Sequence, residues 1–242
     1  MITDCFRKMT PLEIISTSFG LVMKHLPVLV IVTALPEGVL LAMQLGFHDV
    51  LLTSPAGLPL VLVATVGANA VAMSAITTVM AGAVLGGAPT VSQTYQLVIR
   101  NRPFSLLAAY FATAFATSAG LMMFFFPGLF LGGLLALTIP AMVVEGHPAV
   151  EGIRRSALLV RGEVLKAMAI FGFVLLVSGI IPLMFQLMMG IGPLTPVIGT
   201  ILAAVTMPVG YGASVVFYFS MRSREGYTPV DLEADLNARL SS

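Results

Sequence analysis

The chain has 242 residues, of which 58% are hydrophobic and only 10% charged, twelve Lys and Arg against eleven Asp and Glu. A soluble domain carries about 25% charged residues, so this composition cannot supply the polar skin of a soluble globule. The net charge of +1 excludes an electrostatic nucleic-acid binder, and the single cysteine, Cys5, excludes a disulfide scaffold.

What remains is an all-α integral membrane protein. The N-terminus, with Asp4 where a basic leader segment belongs and no small-residue cleavage site after it, predicts no secretory signal and leaves Cys5 as a cytoplasmic thiol. Pro11 opens an amphipathic segment in which Leu12, Ile15, Phe19, Val22 and Leu26 recur at helical spacing. A first span is expected over 26–47 and a second over 58–85, within a stretch from Val50 to Ile99 that contains no charge. Pro89 then precedes a second short amphipathic segment with Val91, Tyr95 and Val98. The uncharged stretch Phe104–Val144 divides at Pro127-Gly128 into spans over 104–126 and 128–144. Pro148 precedes a third amphipathic segment with Val150, Ile153, Ala157, Val160 and Val164 on one face and an i,i+4 pair, Glu151 and Arg155, on the other. The last uncharged stretch, Ala167–Met221, divides at Gly190 to Pro193 into spans over 165–189 and 196–219. A tail over 221–242 follows, where Thr228-Pro229-Val230-Asp231 has the form of a helix cap ahead of Leu232, Leu236 and Leu240.

Six spans place all twelve bases on one side and leave His48 and Asp49 on the other. The positive-inside rule then predicts a bacterial cytoplasmic membrane with both termini in the cytoplasm. Leu21 to Lys24, Leu97 to Arg100 and Leu158 to Arg161 each precede a pair of spans, which suggests three repeats of an interfacial amphipathic helix plus a helical hairpin. Gly82/Gly86, Gly128/Gly132 and Ala64, Ala68 and Ala72 suit close helix packing.

Two blocks resemble a known family. Pro140 and Glu145-Gly146, followed by Gly152, Arg154-Arg155-Ser156, Leu159 and Gly162, form the first; Tyr218, Ser220, Arg222, Arg224 and Glu225-Gly226-Tyr227 form the second. Together with Pro127-Gly128 as a hairpin turn, they resemble the membrane domain found fused to some bacterial glycerophosphodiester phosphodiesterases, and its free-standing six-span relatives. The resemblance implies six spans in the cytoplasmic membrane and no phosphodiesterase activity, which in such fusions belongs to a separate soluble barrel. Ser220 departs from the family's usual Asp and Gly152 from its Ala, and one residue fewer separates Arg224 from Glu225.

Glu37 is the leading functional candidate. It lies near the middle of the first span beside Pro36 and Gly38, with Gln44 two turns along the same face and Asn69 at similar depth in the second span. A charge at that depth costs about 3 kcal/mol, so the residues form either a proton- or cation-linked site or a neutral acid that joins the first two spans through Asn69. The second candidate set is Glu145, Arg154, Arg155, Arg161, Arg222 and Arg224 at the cytoplasmic interface. It is expected to act as a clamp between Glu145 and an arginine, as a site for anionic lipid headgroups, or as plain anchoring, with Glu145 hydrated. No catalytic constellation, metal spacing or cofactor fingerprint occurs, so no enzyme, cofactor, metal or nucleic acid is expected. The expected partners are membrane lipids, with a protein partner or a second copy also open. The leading reading is a scaffold that organises lipids or partner proteins around a dry core; the alternative is a transporter or permease for a small or lipidic solute with a water-accessible cavity at Glu37.

Overall fold

Six helical stretches are long and apolar enough to cross a membrane: Leu26–Gly46, Gly57–Val84, Pro103–Met123, Phe125–Glu145, Val164–Met189 and Thr195–Glu225. They were identified in a computed structural model that describes residues 5–47, 54–85, 89–100, 103–190 and 194–234. His48, Asp49, Gly86, Arg102, Ile191 to Pro193, Leu236, Arg239 and Leu240 lie outside the described residues. The described residues are helical and contain no strand: α1 (Pro11–Lys24), α2 (Leu26–Gly46), α3 (Gly57–Val84), α4 (Val91–Arg100), α5 (Pro103–Met123), α6 (Phe125–Leu135), α7 (Thr138–Glu145), α8 (Ala149–Val160), α9 (Val164–Leu175), a π-helical turn (Leu176–Ile180), α10 (Ile181–Met189) and α11 (Thr195–Arg222). The protein is therefore an all-α membrane bundle.

The windows of the fourth and sixth spans are 67% and 56% buried inside the protein, those of the third and fifth only 17%. The first pair forms the centre, and the second pair presents its sides outward. α11 packs on α1, α2, α3 and α9. It crosses α1 closely at Gly212, where a Cβ would stand 2.9 Å from Ser18 Oγ and 3.0 Å from Val22.

The three short helices α1, α4 and α8 share one end of the bundle, called the basic end below, and two of them, α1 and α4, are started by local chemistry, as is the tail helix. At α1, Glu13 Oε2 accepts from the Thr10 N–H (2.7 Å), while the Glu13 N–H donates to Thr10 Oγ1 (3.3 Å). α4 repeats the arrangement in neutral form with Thr90 and Gln93 (2.9 and 3.4 Å). In the tail, Thr228 and Asp231 do the same ahead of a helix over 229–234 (2.8 and 3.4 Å). The Thr10 backbone N–H, then its hydroxyl and Arg7, hold the Glu13 carboxyl down at about 2, and Thr228 likewise lowers Asp231. A lowered carboxyl favours folding above its unfolded value and loses that contribution as pH falls toward its folded value. Acidification from the ordinary carboxyl value of 4.5 toward 2 should therefore lower the protection of amides at the start of α1, relative to their intrinsic exchange at each pH, with the same trend at the tail helix. The start of α4 should be unaffected. Equal loosening of all three would show that the caps are not the cause.

Of the three prolines, only Pro11 is a first helical residue. Pro89 precedes the capping Thr90, and Pro148 occupies the cap position itself. The predicted apolar stripes also turn differently. Leu12 is 76% and Val150 78% exposed, and Phe19 is exposed too, whereas Ile14, Ser18, Leu21 and Val22 of α1 and Gly152, Ser156, Leu159 and Val160 of α8 are buried. Ser18, Gly152 and Ser156 let backbones approach on the faces turned to the bundle, and Leu12, Phe19 and Val150 lie on the opposite faces.

The third and fourth spans turn at Phe124, whose backbone is extended (φ −158°, ψ 146°), and not at Pro127-Gly128. Pro127 sits in the first turn of α6, where its missing N–H leaves no hydrogen bond unmade. Gly128 is a contact residue: a Cβ there would lie 2.4 Å from the Leu121 backbone nitrogen. The fourth span is broken into α6 and α7 at Ala136-Leu137, because Pro140 cannot donate back to Ala136. Ser156 of α8 repairs the break: its hydroxyl donates to the Leu134 carbonyl (2.7 Å) and accepts from the Leu137 N–H (3.1 Å).

Candidate functional site

Two polar constellations stand out, one at mid-span and one at the basic end. The first is built by a proline. Pro36 has no N–H to offer the Val32 carbonyl one turn earlier in α2. Tyr95 of α4 supplies the donor instead, its hydroxyl 2.6 Å from Val32 O. Burial pushes the Tyr95 phenol up to about 12, so it remains a donor at any physiological pH. Tyr95→Phe should strand that carbonyl and cost about 1–3 kcal/mol, measured by thermal unfolding in detergent. An unchanged midpoint would mean that another donor serves Val32.

Glu37 follows directly and is 7% exposed, with its Oε1 buried and without a hydrogen-bond partner. Asn69 does not reach it; the Asn69 amide donates to Thr65 O of its own helix (2.8 Å), so the expected joint between the first two spans through Asn69 is not formed. Glu37 and Gln44 line one cavity of about 1130 Å³. α2, α10 and α11 form its walls with Thr65 of α3, and it extends toward the end opposite the basic one, with Gln186, Thr195 and Thr200 adding polar groups. On the other side of Glu37, Tyr110 and Tyr211 share a hydrogen bond and lie within electrostatic reach of its carboxyl. They border a second cavity of about 220 Å³ that also carries Thr113, Thr117, Ser118, Ser178 and Ser214. The π-helical turn supplies Ser178, which donates to Thr206 O (3.2 Å). Sequence reasoning missed Gln186, Tyr110 and Tyr211. The available signal was a polar side chain in each of three spans, within two of the uncharged stretches.

The second constellation is an ionic ring. Glu145, the last residue of α7, has an 11% exposed side chain and is not left to water. It accepts from Arg155 Nε (2.9 Å) and the Tyr218 hydroxyl (2.8 Å), with His147 Nε2 at 3.2 Å and Arg222 Nε at 3.6 Å. Arg155 reaches on to Glu225 with both terminal nitrogens, NH1 at 3.0 Å, and Arg222 NH1 closes the ring on Glu225 at 2.7 Å. The Arg222 guanidinium also stacks 4.1 Å from the Tyr227 ring centroid. Two acids and two bases leave no net charge.

The expected pair between Glu151 and Arg155 is replaced, since Arg155 turns inward and Glu151 lies 3.6 Å from His147. Arg154 and Arg161 are exposed and take no part, so the suggested grouping of Arg154, Arg155 and Arg161 is not assembled. Arg224 belongs to a separate cluster around Glu163 (3.4 Å), with Lys166 at 3.3 Å and Lys8 at 3.9 Å. Two of the three departures from the resembled pattern have structural counterparts. Ser220 donates to Arg7 O (2.8 Å), which an ionised Asp could not do. A Cβ at Gly152 would stand 2.4 Å from Met142 Cγ.

Among the described residues no group of three or more His, Cys, Asp or Glu is placed to hold a metal ion. Fold and constellations together define a six-span helical membrane protein with a polar cavity at mid-span and a neutral ionic ring at one end. No protein-family model, curated protein or solved structure matches the chain.

Proposed function

We propose that this protein is a transporter or permease for a small amphiphilic solute, which enters the Glu37 cavity from the end opposite the basic one. The observation that carries the reading is Glu37 on the wall of a cavity of about 1130 Å³, its Oε1 buried and without a hydrogen-bond partner. An intramembrane acid facing a cavity is a characteristic of solute and ion pathways. The scaffold reading expects a dry core, and the cavity weighs against it. The protein carries no catalytic machinery in this reading. It resides in the bacterial cytoplasmic membrane with the basic end and both termini in the cytoplasm. Arg154 and Arg161, free of the ring and exposed, contact anionic headgroups there.

The resemblance to the phosphodiesterase-associated membrane domain belongs to the same proposal. Its motif residues Glu145, Arg155, Tyr218, Arg222 and Glu225 converge in the ionic ring, which makes the motif a structural lock and leaves solute chemistry to the Glu37 region.

Cysteine accessibility tests the reading. In a Cys5→Ser background, Thr200→Cys should react with a membrane-impermeant maleimide added outside spheroplasts. Ala75→Cys, at a fully buried position, should not, and Arg154→Cys should react only after the cells are opened. A silent Cys at position 200 would remove the cavity reading, and labelling at position 154 from outside would reverse the orientation.

A further inference from the structure

We infer that Glu37 is a shared site for a proton and an organic cation with apolar substituents, and that the cation, on binding, expels the proton. The inference rests on the cavity reading above and names the solute class. Its first ground is the charge inventory. Among the described residues no Lys, Arg or His lines the cavity, and Glu37 is its one acid. The elements packed against α2 offer few others. α3 contributes no titratable side chain, α4 contributes Tyr95, whose hydroxyl is committed to Val32 O, and Arg100, exposed at its last residue, and α11 contributes Tyr211, with Tyr218 and Arg222 held in the ring. Tyr110 of α5 reaches Glu37 electrostatically, and α1 carries only Glu13 and Lys24, near its ends, with His25 at the junction to α2.

An ionised Glu37 in that setting has no counter-charge, and an isolated buried carboxylate is strongly disfavoured. The empty site is therefore occupied by a proton, as the neutral acid. An anion finds no positive partner there and would face the carboxyl's own charge. A cation supplies the missing partner. The acid O–H then breaks, the proton leaves to water in the cavity, and the carboxylate pairs with the cation, so charge and atoms balance.

The second ground is the wall. A bare metal ion asks for several oxygens converging on one point. Here Gln44, Thr65, Gln186, Thr195 and Thr200 are distributed along the cavity among Leu40, Leu41, Leu45, Leu183 and Leu187. Polar groups dispersed on an apolar wall suit a substituted ammonium or phosphonium whose apolar arms cover leucine.

The test uses the full-length protein in lipid nanodiscs with tetraphenylphosphonium as the probe. Titration calorimetry in buffers of different ionisation enthalpy counts released protons. Binding should release one proton per cation and weaken about tenfold per pH unit on the acid side. Glu37→Gln should weaken binding by about thirtyfold or more and abolish the proton release. Glu37→Asp, which keeps the charge, should retain both and serves as the control for folding. If Glu37→Gln binds the probe as the parent does, or no proton is released, the cation inference is overturned. Protection of Thr200→Cys from maleimide by neutral triphenylphosphine oxide, equally with Glu37 intact and with Glu37→Gln added, would also overturn it while leaving the cavity reading intact. Failure of Thr200→Cys to react at all would remove the cavity reading itself.

Discussion

Glu145→Gln should destabilise the protein by about 3–5 kcal/mol, the range for breaking a largely buried ion pair by removing one partner. The amide keeps the volume and one acceptor but leaves Arg155 and Arg222 facing each other with only Glu225 between them. It also puts an amide where the Tyr218 hydroxyl now donates to a carboxylate. The lesion reaches far in sequence, because the ring ties α7, α8 and the end of α11 together. Arg155→Lys should be nearly as costly, since a single ammonium cannot span Glu145 with Nε and Glu225 with its two terminal nitrogens. Thermal or denaturant unfolding in a fixed detergent reads both. A loss below about 1 kcal/mol for Glu145→Gln would mean that water serves the ring as well as its present partners do. The double variant Glu145→Gln with Arg155→Met should recover part of the loss, because it removes a buried charge along with its partner.

Ser156→Ala should rank second. One hydroxyl bridges the Leu134 carbonyl and the Leu137 N–H across the break in the fourth span. Each stranded group costs about 1–3 kcal/mol, and no membrane water replaces the lost partner at a buried site. Ser156→Thr keeps the hydroxyl and separates the hydrogen-bond contribution from packing. Hydrogen exchange should quicken at Leu137 in the Ala variant and leave the start of α1 unchanged. A variant as stable as the parent would show that the break is held by packing of Gly152 on Met142 instead.

Much of this architecture was legible in the chain. The six spans fall within a few residues of the expected positions, because an uncharged apolar run of sufficient length has no stable alternative to a spanning helix in lipid. Glu37 and the pairing of Glu145 with an arginine were also legible, the first from its depth and the second from its motif. Other features were not. Asn69 was expected against Glu37 and bonds to Thr65 O instead, because a side chain in a helix can satisfy itself on the preceding turn. Arg155 was expected to pair with Glu151 one turn away. It prefers two acids 10 and 70 positions distant, in a site from which water is largely excluded and where ion pairs are stronger.

Composition and charge spacing by themselves determined a six-span helical membrane protein, with its bases in four segments and one acid at mid-span. These are consequences of local chemistry: a span is decided by the residues within it and by the solvent around it. The tertiary structure alone decided which polar groups meet. Tyr95 reaches across 63 residues to the Val32 carbonyl that Pro36 leaves free, Tyr218 meets Glu145 across 73, and Ser220 holds the Arg7 carbonyl across 213. The cavity likewise belongs to no single span, since its polar groups come from helices that only packing brings around Glu37. Helical periodicity states which residues share a face; which face meets which is decided by where small residues let two backbones approach.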